Sequence, residues 1–495
     1  MSDAAGEGLT IKPGLRCYCG WLAAIVTLIW ITFGTAPEGL TQAGFRAAGV
    51  GLIMGALWMS EALPVPVTAL LPLVLFPILG ISSVKEAAAP FSDQVIFLYM
   101  GGFMLSLAMQ RWGLHRRIAL GIISFTGTRE RSIVWGFILA TAFLSMWVSN
   151  TATTMMMLPI AISVAQLLSR QRDEQSHVFP LALMLGIAYA ATIGGMGTPI
   201  GTPTNAVFMG YMEKTGYSVS FTNWMMAAVP LVVVALPLTH ALLTRFCFSV
   251  SNEEVPGARK LIGDELAALG RMSRGEIITA IVFCLAALCW VSRQFVVDAM
   301  SSPPPWLLSA SADTVVAIGA ALVLFIMPVD FRKGVFVLEW KQASKLPWDV
   351  LLLFGGGLSL AAAFESTKFA EWLGVQAGAL KGLPLWALMG VIVLGILMLS
   401  ELASNVATCT AFLPVAAALA TGALGVHPLL LTVPVALASS AAFMMPVGTP
   451  PNAIVFGTGY VRMSEMVKAG VWLNLLFVFM ITVCSLTLVR WVFGV

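Results

Sequence analysis

The feature that most limits this chain is a succession of apolar runs, each about 17 to 34 residues long, joined by short polar connections from residue 17 to residue 493. The hydrocarbon core of a bilayer is about 30 Å thick, and about 20 apolar residues of helix cross it. Eleven such runs in one chain describe an all-α polytopic membrane protein, because only helices or closed barrels satisfy their own backbone in lipid. In water the chain could not hide its surface. Of its 495 residues 59% are hydrophobic and 10% charged, against about 45 to 50% and about 25% in a soluble domain. Soluble enzymes, nucleic-acid binders and disordered scaffolds are excluded, and Lys and Arg lie in short clusters rather than a basic stripe. No H-E-x-x-H, G-x-S-x-G or P-loop lysine occurs, so no enzyme is expected. The seven cysteines and four histidines show no zinc or disulfide-framework spacing.

The crossings are expected at 17–36, 47–63, 65–82, 94–125, 179–212, 222–246, 275–293, 312–329, 348–366, 427–460 and 469–493. Two further stretches, 133–168 and 384–421, exceed one crossing, fall short of two, and carry a polar Ser-Asn centre. They are expected to be re-entrant hairpins, whose tips survive at membrane depth only beside protein or a watery cavity. With the N-terminus in the cytoplasm and the C-terminus outside, most of the 27 Lys and Arg fall on the cytoplasmic side.

The chain is also duplicated. Ser145, Ser149 and Asn150 recur as Ser400, Ser404 and Asn405, each set in the middle of one hairpin. Leu105, Ser106, Leu107 and Ala108 follow Gly101 and Gly102, and Leu358, Ser359, Leu360 and Ala361 follow a glycine run. After each hairpin comes a Gly-Thr-Pro element: Gly197, Thr198 and Pro199, then Gly201, Thr202 and Pro203, in the first half, and Gly448, Thr449 and Pro450 in the second. Five crossings separate the starts of the two copies, so the copies insert with opposite orientation, an inverted-topology repeat.

Gly-Thr-Pro inside an apolar span breaks the helix and frees amides and carbonyls. Freed amides at a helix start suit an anion, while carbonyls with Ser, Thr and Asn oxygens suit a hard cation. No Lys or Arg lies between Arg172 and Lys214 or from Gly382 through Val461. A multivalent anion here therefore draws its balancing charge from bound cations, and the two ligands become mutually dependent. A lone Ser-Asn-Thr in a membrane helix is usually packing glue; the doubling at equal spacing is what argues for a site. Glu401 is the sole carboxylate of the second hairpin, with Met146 as counterpart, and both an ion-site role and a partnered structural role stand open for it. The same holds for Glu61, ahead of Pro64.

These residues resemble the divalent anion/sodium symporter family, the sodium-dependent dicarboxylate and sulfate transporters. The resemblance rests on Ser149, Asn150 and Thr151, on Ser404, Asn405 and Val406, on the run Ser439 through Val455, and on Glu61 through Pro64 with Val67 through Leu70. It covers the chain from about residue 47 to the end. It implies a homodimer in which a fixed scaffold carries a sliding, elevator-type transport domain. The parts would be a cytoplasmic tail (1–16), scaffold (17–131 and 275–383), transport domain (132–250 and 384–495) and a cytoplasmic linker (251–274). At least two sodium sites are implied: Ser145, Ser149 and Asn150 with the break at Gly197, Thr198, Gly201 and Thr202; and Ser400, Ala403, Asn405 and Gly448. Either Gly197 or Gly201 could pair with Gly448. Substrate carboxylates would meet Asn150, Thr151, Ser404, Asn405, Thr449 and Pro450. Val406 stands where some members carry threonine, which removes one hydroxyl.

The resulting expectation is a sodium-coupled importer of C4-dicarboxylates such as succinate, malate or fumarate in a bacterial inner membrane, lipid-embedded, with no nucleic-acid partner. The rival readings are a sulfate or other divalent oxyanion symporter and a sodium-independent dicarboxylate exchanger.

Overall fold

The computed structural model describes residues 15–169, 177–304, 311–376, 382 and 384–495. Most of the expected N-terminal tail and the expected boundary at 383 lie outside them. The helices are α1 (Leu15–Phe33), α2 (Gln42–Ser60), α3 (Val65–Thr68), α4 (Leu71–Ile78), α5 (Val84–Ala88), α6 (Gln94–Trp112), α7 (Leu114–Phe125), α8 (Glu130–Ser145) and α9 (Asn150–Ser169). Next come α10 (Val178–Gly195), α11 (Pro203–Lys214), α12 (Phe221–Ala241), α13 (Ala258–Ala268), α14 (Arg274–Ala299), α15 (Ser311–Ile326), α16 (Trp340–Ala343), α17 (Trp348–Ser366) and α18 (Phe369–Gln376). The last are α19 (Leu385–Leu402), α20 (Asn405–Ala418), α21 (Leu429–Ser440), α22 (Pro450–Phe456), α23 (Met463–Cys484) and α24 (Arg490–Phe493). One short antiparallel pair, Pro328–Asp330 with Val335–Phe336, is a feature the apolar pattern does not predict.

Among the described residues, nine helices are long and apolar enough to cross a bilayer, with four shorter apolar ones beside them. Their starts are set by side chains that satisfy the orphan amides of the first turn. Thr41 accepts from Gly44 N and Asp93 from Val95 N, each at 3.0 Å. Ser83 with Glu86 and Ser273 with Glu276 form reciprocal capping boxes.

Two expected crossings are corrected. The run 94–125 is two helices, because Gly113 takes a left-handed φ of 73° and ends α6. The short α7 that follows turns charged side chains toward α13 and α14, where Arg116 pairs with Glu265 and Arg117 with Glu276. The run 65–82 is not one span either. Pro66, Pro72 and Pro77 lack amide donors and crowd the preceding turn, leaving only helices of 4 and 8 residues. Glu61 is exposed and ends α2 in the left-handed conformation at φ 52°, so it serves as a helix stop outside any cavity described below.

The repeat governs the packing. Hairpin α8–α9 lies on broken helix α10–α11, and hairpin α19–α20 lies on broken helix α21–α22. The halves then exchange partners: α9 packs on α22 and α20 on α11. Hairpin arms of 14 to 20 residues are about 21 to 30 Å long at 1.5 Å per residue, so length alone does not mark them as re-entrant. Their tips do, being pinned to the middle of the broken helices rather than presented as loops. The glycine runs are contact points. A Cβ on Gly101 would come within 2.5 Å of the Ala317 backbone, and one on Gly356 within 2.2 Å of the Ala69 carbonyl.

One buried ion pair closes the packing of α12, α14 and α15. Arg293 Nε lies 3.2 Å from Asp313 Oδ1, with side chains 7% and 2% exposed. Asp313 Oδ2 also accepts from Phe221 N, the first amide of α12, at 3.0 Å. Replacing Asp313 by Ala is expected to cost roughly 3 to 5 kcal/mol by removing the carboxylate partner of a buried guanidinium and the acceptor of that amide. A lower unfolding temperature of the purified protein in detergent checks this.

Candidate functional site

The two breaks are built alike. Thr202 (φ −140°, ψ 145°) stands at the N-cap of α11 and Thr449 (φ −140°, ψ 148°) at that of α22, where its side chain accepts from Asn452 N; each is followed by proline in the first helical position, where a missing amide costs nothing. Asn205 Nδ2 donates to Gly195 O at 3.2 Å and Thr198 O at 2.8 Å. Asn452 Nδ2 donates to Ala442 O at 3.2 Å and Met445 O at 3.0 Å, the same two positions relative to itself. Gly201 N reaches Thr198 O, and Gly448 N reaches Met445 O. The geometry therefore pairs Gly201, not Gly197, with Gly448. Each asparagine holds the unwound loop open by occupying carbonyls that a continuous helix would consume. Asn205 and Asn452 were legible, since both stand two residues after the capped proline, yet only the structure gives them this task.

At the first tip, oxygen atoms converge. The Ser145 hydroxyl donates to Ala191 O at 2.7 Å. The end of the Asn150 amide lies 2.6 Å from Ser145 Oγ, 3.1 Å from Ala191 O and 3.3 Å from Gly201 O. Two arrangements satisfy such a cluster. Turned one way, the amide nitrogen donates to all three; turned the other, its oxygen completes a set of four oxygens, which is the donor chemistry of a hard cation. A Cβ on Gly195 would come within 2.4 Å of the same amide, so this glycine keeps the space. Ser149 caps α9 through Ala152 N at 3.4 Å, and the Thr198 hydroxyl donates to Met146 O.

The second tip differs in one decisive side chain. The Ser400 hydroxyl donates to Ser439 O at 2.8 Å, much as Ser145 does in its half. Where the first tip has Met146, Glu401 enters the break. Its Oε1 accepts from Phe443 N (2.7 Å), Met444 N (2.9 Å) and Asn474 Nδ2 (2.8 Å), and its Oε2 from Met445 N (2.9 Å). All four contacts are N–H donors to its two oxygens, so the carboxyl acts here as the acceptor that ties the second break together. The partnered structural role left open by the sequence is the one the geometry supports. Gly448 sits against this carboxylate, with a Cβ there 3.0 Å from Oε2. Asn405 Oδ1 is buried without a hydrogen-bond partner, as is the Thr408 hydroxyl.

Ala403 is buried in the second turn, while Ser404, Asn405 and Val406 are partly exposed at the start of α20. Thr449 is buried and Pro450 exposed. The breaks meet through Thr204 and Ser440, whose hydroxyls lie 2.5 Å apart, and the Cys409 thiol of hairpin arm α20 reaches Thr204 O at 3.6 Å. A cavity of about 490 Å³ opens on the first tip, lined by Ser149, Thr151, Ala152 and Met156, with Gln110 and His115 opposite. Trp224 Nε1 and the Tyr99 hydroxyl donate to Met196 O and Pro199 O, occupying two carbonyls of the first break.

Paired helical hairpins, each with its tip buried on a broken helix, repeated with opposite insertion and joined at a polar centre, define a membrane transporter rather than an enzyme. The chain belongs to the family described as the sodium:sulfate symporter transmembrane region, which it matches over residues 16–495. It is 40% identical over 467 residues to the sodium-dependent dicarboxylate transporter SdcS of Staphylococcus saprophyticus, covering 93% of this chain and 89% of that one. SdcS of Staphylococcus aureus strain USA300 is 39% identical over 465 residues, covering 92% and 87%. Among solved structures, the fold is similar to Neisseria gonorrhoeae MtrF, of a class of antimetabolite efflux pumps (TM-score 0.57, 12% identity, 97% of this chain and 95% of that one). It is also similar to the Alcanivorax borkumensis YdaH transporter (TM-score 0.55, 15% identity, 90% and 98%). At those identities the likeness speaks for the fold.

Proposed function

We propose that this chain is a sodium-coupled symporter importing C4-dicarboxylates such as succinate, malate or fumarate across a bacterial inner membrane, N-terminus inside. The homodimer would work by elevator-type alternating access, residues 132–250 and 384–495 moving against a scaffold of 17–131 and 275–383. The oxygen convergence at Asn150 carries this reading, supported by the relatives named for sodium-dependent dicarboxylate transport. One sodium is assigned to Ser145, Ser149, Asn150 and the Gly201 break, with Gly197, Thr198 and Thr202 around it. A second is assigned to Ser400, Ala403, Asn405 and Gly448, where Asn405 Oδ1 is available as a ligand. The substrate carboxylates are assigned to Asn150, Thr151, Ser404, Asn405, Thr449 and Pro450, beside Val406.

Charge makes the coupling. A dianion in a low-dielectric site lacking Lys or Arg is too costly alone, and two sodium ions are equally unwelcome without it, so each raises the affinity for the other. Proteoliposomes with an imposed sodium gradient are expected to accumulate succinate uphill and to lose that accumulation when choline replaces sodium. Uptake indifferent to sodium would refute symport and favour exchange. Full competition by sulfate would move the substrate class to inorganic oxyanions.

A further inference from the structure

The cavity at the first tip has two walls. One is the tip itself; the other is the helix pair α6–α7, which contributes Gln110 and His115. Its volume of about 490 Å³ falls in the roughly 300 to 1,000 Å³ range of small-molecule sites. Among the described residues that line it, His115 is the only titratable side chain. The cations of α6 and α7 are already engaged, and Arg259 and Lys260 of α13, which packs on α7, are exposed. Arg111 pairs with Glu339 at 2.5 Å, Arg116 with Glu265 and Arg117 with Glu276, so α6 and α7 direct no other free positive group to this space. The other elements on the wall, α8 and α9, contribute Leu144, Val148, Ser149, Thr151, Ala152, Thr153, Met155 and Met156, none of them charged.

The imidazole is oriented. His115 Nδ1 lies 2.9 Å from Met109 O, and a carbonyl only accepts, so Nδ1 carries the proton. The left-handed Gly113 makes this contact possible by folding α7 back on the end of α6. Nε2 is then the nitrogen left for a ligand: a lone pair in the neutral ring, an N–H donor in the cation.

We infer that His115 is a substrate-contacting residue, whose protonated Nε2 donates to one carboxylate of a dicarboxylate passing between this cavity and the first tip. The inference rests on the dicarboxylate reading above and adds to it a cationic contact that the tips and breaks do not supply. Gln110, held by its own bond from Nε2 to Ser106 Oγ at 3.2 Å, keeps its carbonyl for a substrate hydroxyl or water.

The test is equilibrium binding of fumarate, a dianion throughout the range, to purified protein in nanodiscs with sodium, at about pH 6 and about pH 8. His115→Asn is the informative variant, because its amide nitrogen can still donate to Met109 O while the position of Nε2 is empty. Burial and the nearby Arg116 hold the free imidazole below its usual range, so a bound dianion draws the proton on; wild type is expected to bind about fivefold to tenfold more tightly at the lower pH, and His115→Asn to show the weaker value at both. A merely structural histidine would leave the variant's pH dependence like that of wild type, and that result overturns the inference. Should the variant fail to assemble, wild type alone decides: fumarate is expected to slow diethylpyrocarbonate modification of His115, read by mass spectrometry, at least about threefold. An unchanged rate overturns the inference. Fumarate binding that ignores sodium would count against the proposed coupling and leave the His115 contrast readable; no fumarate binding by wild type would overturn both.

Discussion

Asn150→Ala should abolish sodium-driven dicarboxylate uptake, and Asn405→Ala should do the same, while both proteins reach the membrane and purify normally. The first asparagine is the hub of its tip, within hydrogen-bond reach of Ser145 Oγ, Ala191 O and Gly201 O. The second holds a buried amide oxygen with no protein partner. Alanine removes a proposed ligand at each place. Losing even an outer partner of a metal site typically costs 10 to 100-fold in affinity, so at least about a hundredfold loss of apparent sodium affinity is expected. Sodium titration of succinate binding, alongside uptake, separates this from misfolding. Near-normal sodium affinity in both variants would sink the assignment of the cation sites.

A second large effect is expected at Glu401. Glu401→Ala would leave the amides of Phe443, Met444 and Met445 and the Asn474 amide without this acceptor, and the bonds to Phe443 and Asn474 are buried. A buried donor left unsatisfied costs about 1 to 3 kcal/mol, and here the freed amides are those that shape the second break. Loss of transport and a clear fall in unfolding temperature are expected together. Glu401→Gln retains the oxygen that takes three of the four bonds and sets one donor against Met445 N, so it should be intermediate in stability with sodium dependence preserved. An alanine variant as stable as wild type would show that the carboxylate does not hold the break.

The contrast between the two tips shows how far a duplicated pattern can be read. The repeat of Ser145, Ser149 and Asn150 as Ser400, Ser404 and Asn405 is visible by eye, and the fold places both sets at hairpin turns on broken helices. The pairing of the Gly-Thr-Pro elements was not readable. The segment between tip and break is eight residues shorter in the second half, and Gly197 and Gly201 present the same three letters. Which one opens a helix depends on where Asn205 finds its carbonyls.

The crossings of 94–125 and 65–82 failed for a related reason. Apolar length reports the cost of water contact, not the path of the backbone. Gly113 and the prolines at 66, 72 and 77 redirect the chain within runs that remain apolar throughout. Glu401 marks the same boundary from another side. Its partners are backbone amides 42 to 44 residues away and Asn474, 73 residues away, and a backbone amide has no letter in a sequence.

Membrane residence, an all-helical build, the inverted repeat and the polar tips were thus determined by the residues in order, because transfer free energy and helix breaking are properties of short stretches. Which carbonyls meet Asn150, which amides meet Glu401 and which nitrogen of His115 lies on Met109 O were decided only by the tertiary structure. Those contacts join segments tens to hundreds of residues apart, and their energies depend on distances of a few ångströms that local composition does not encode.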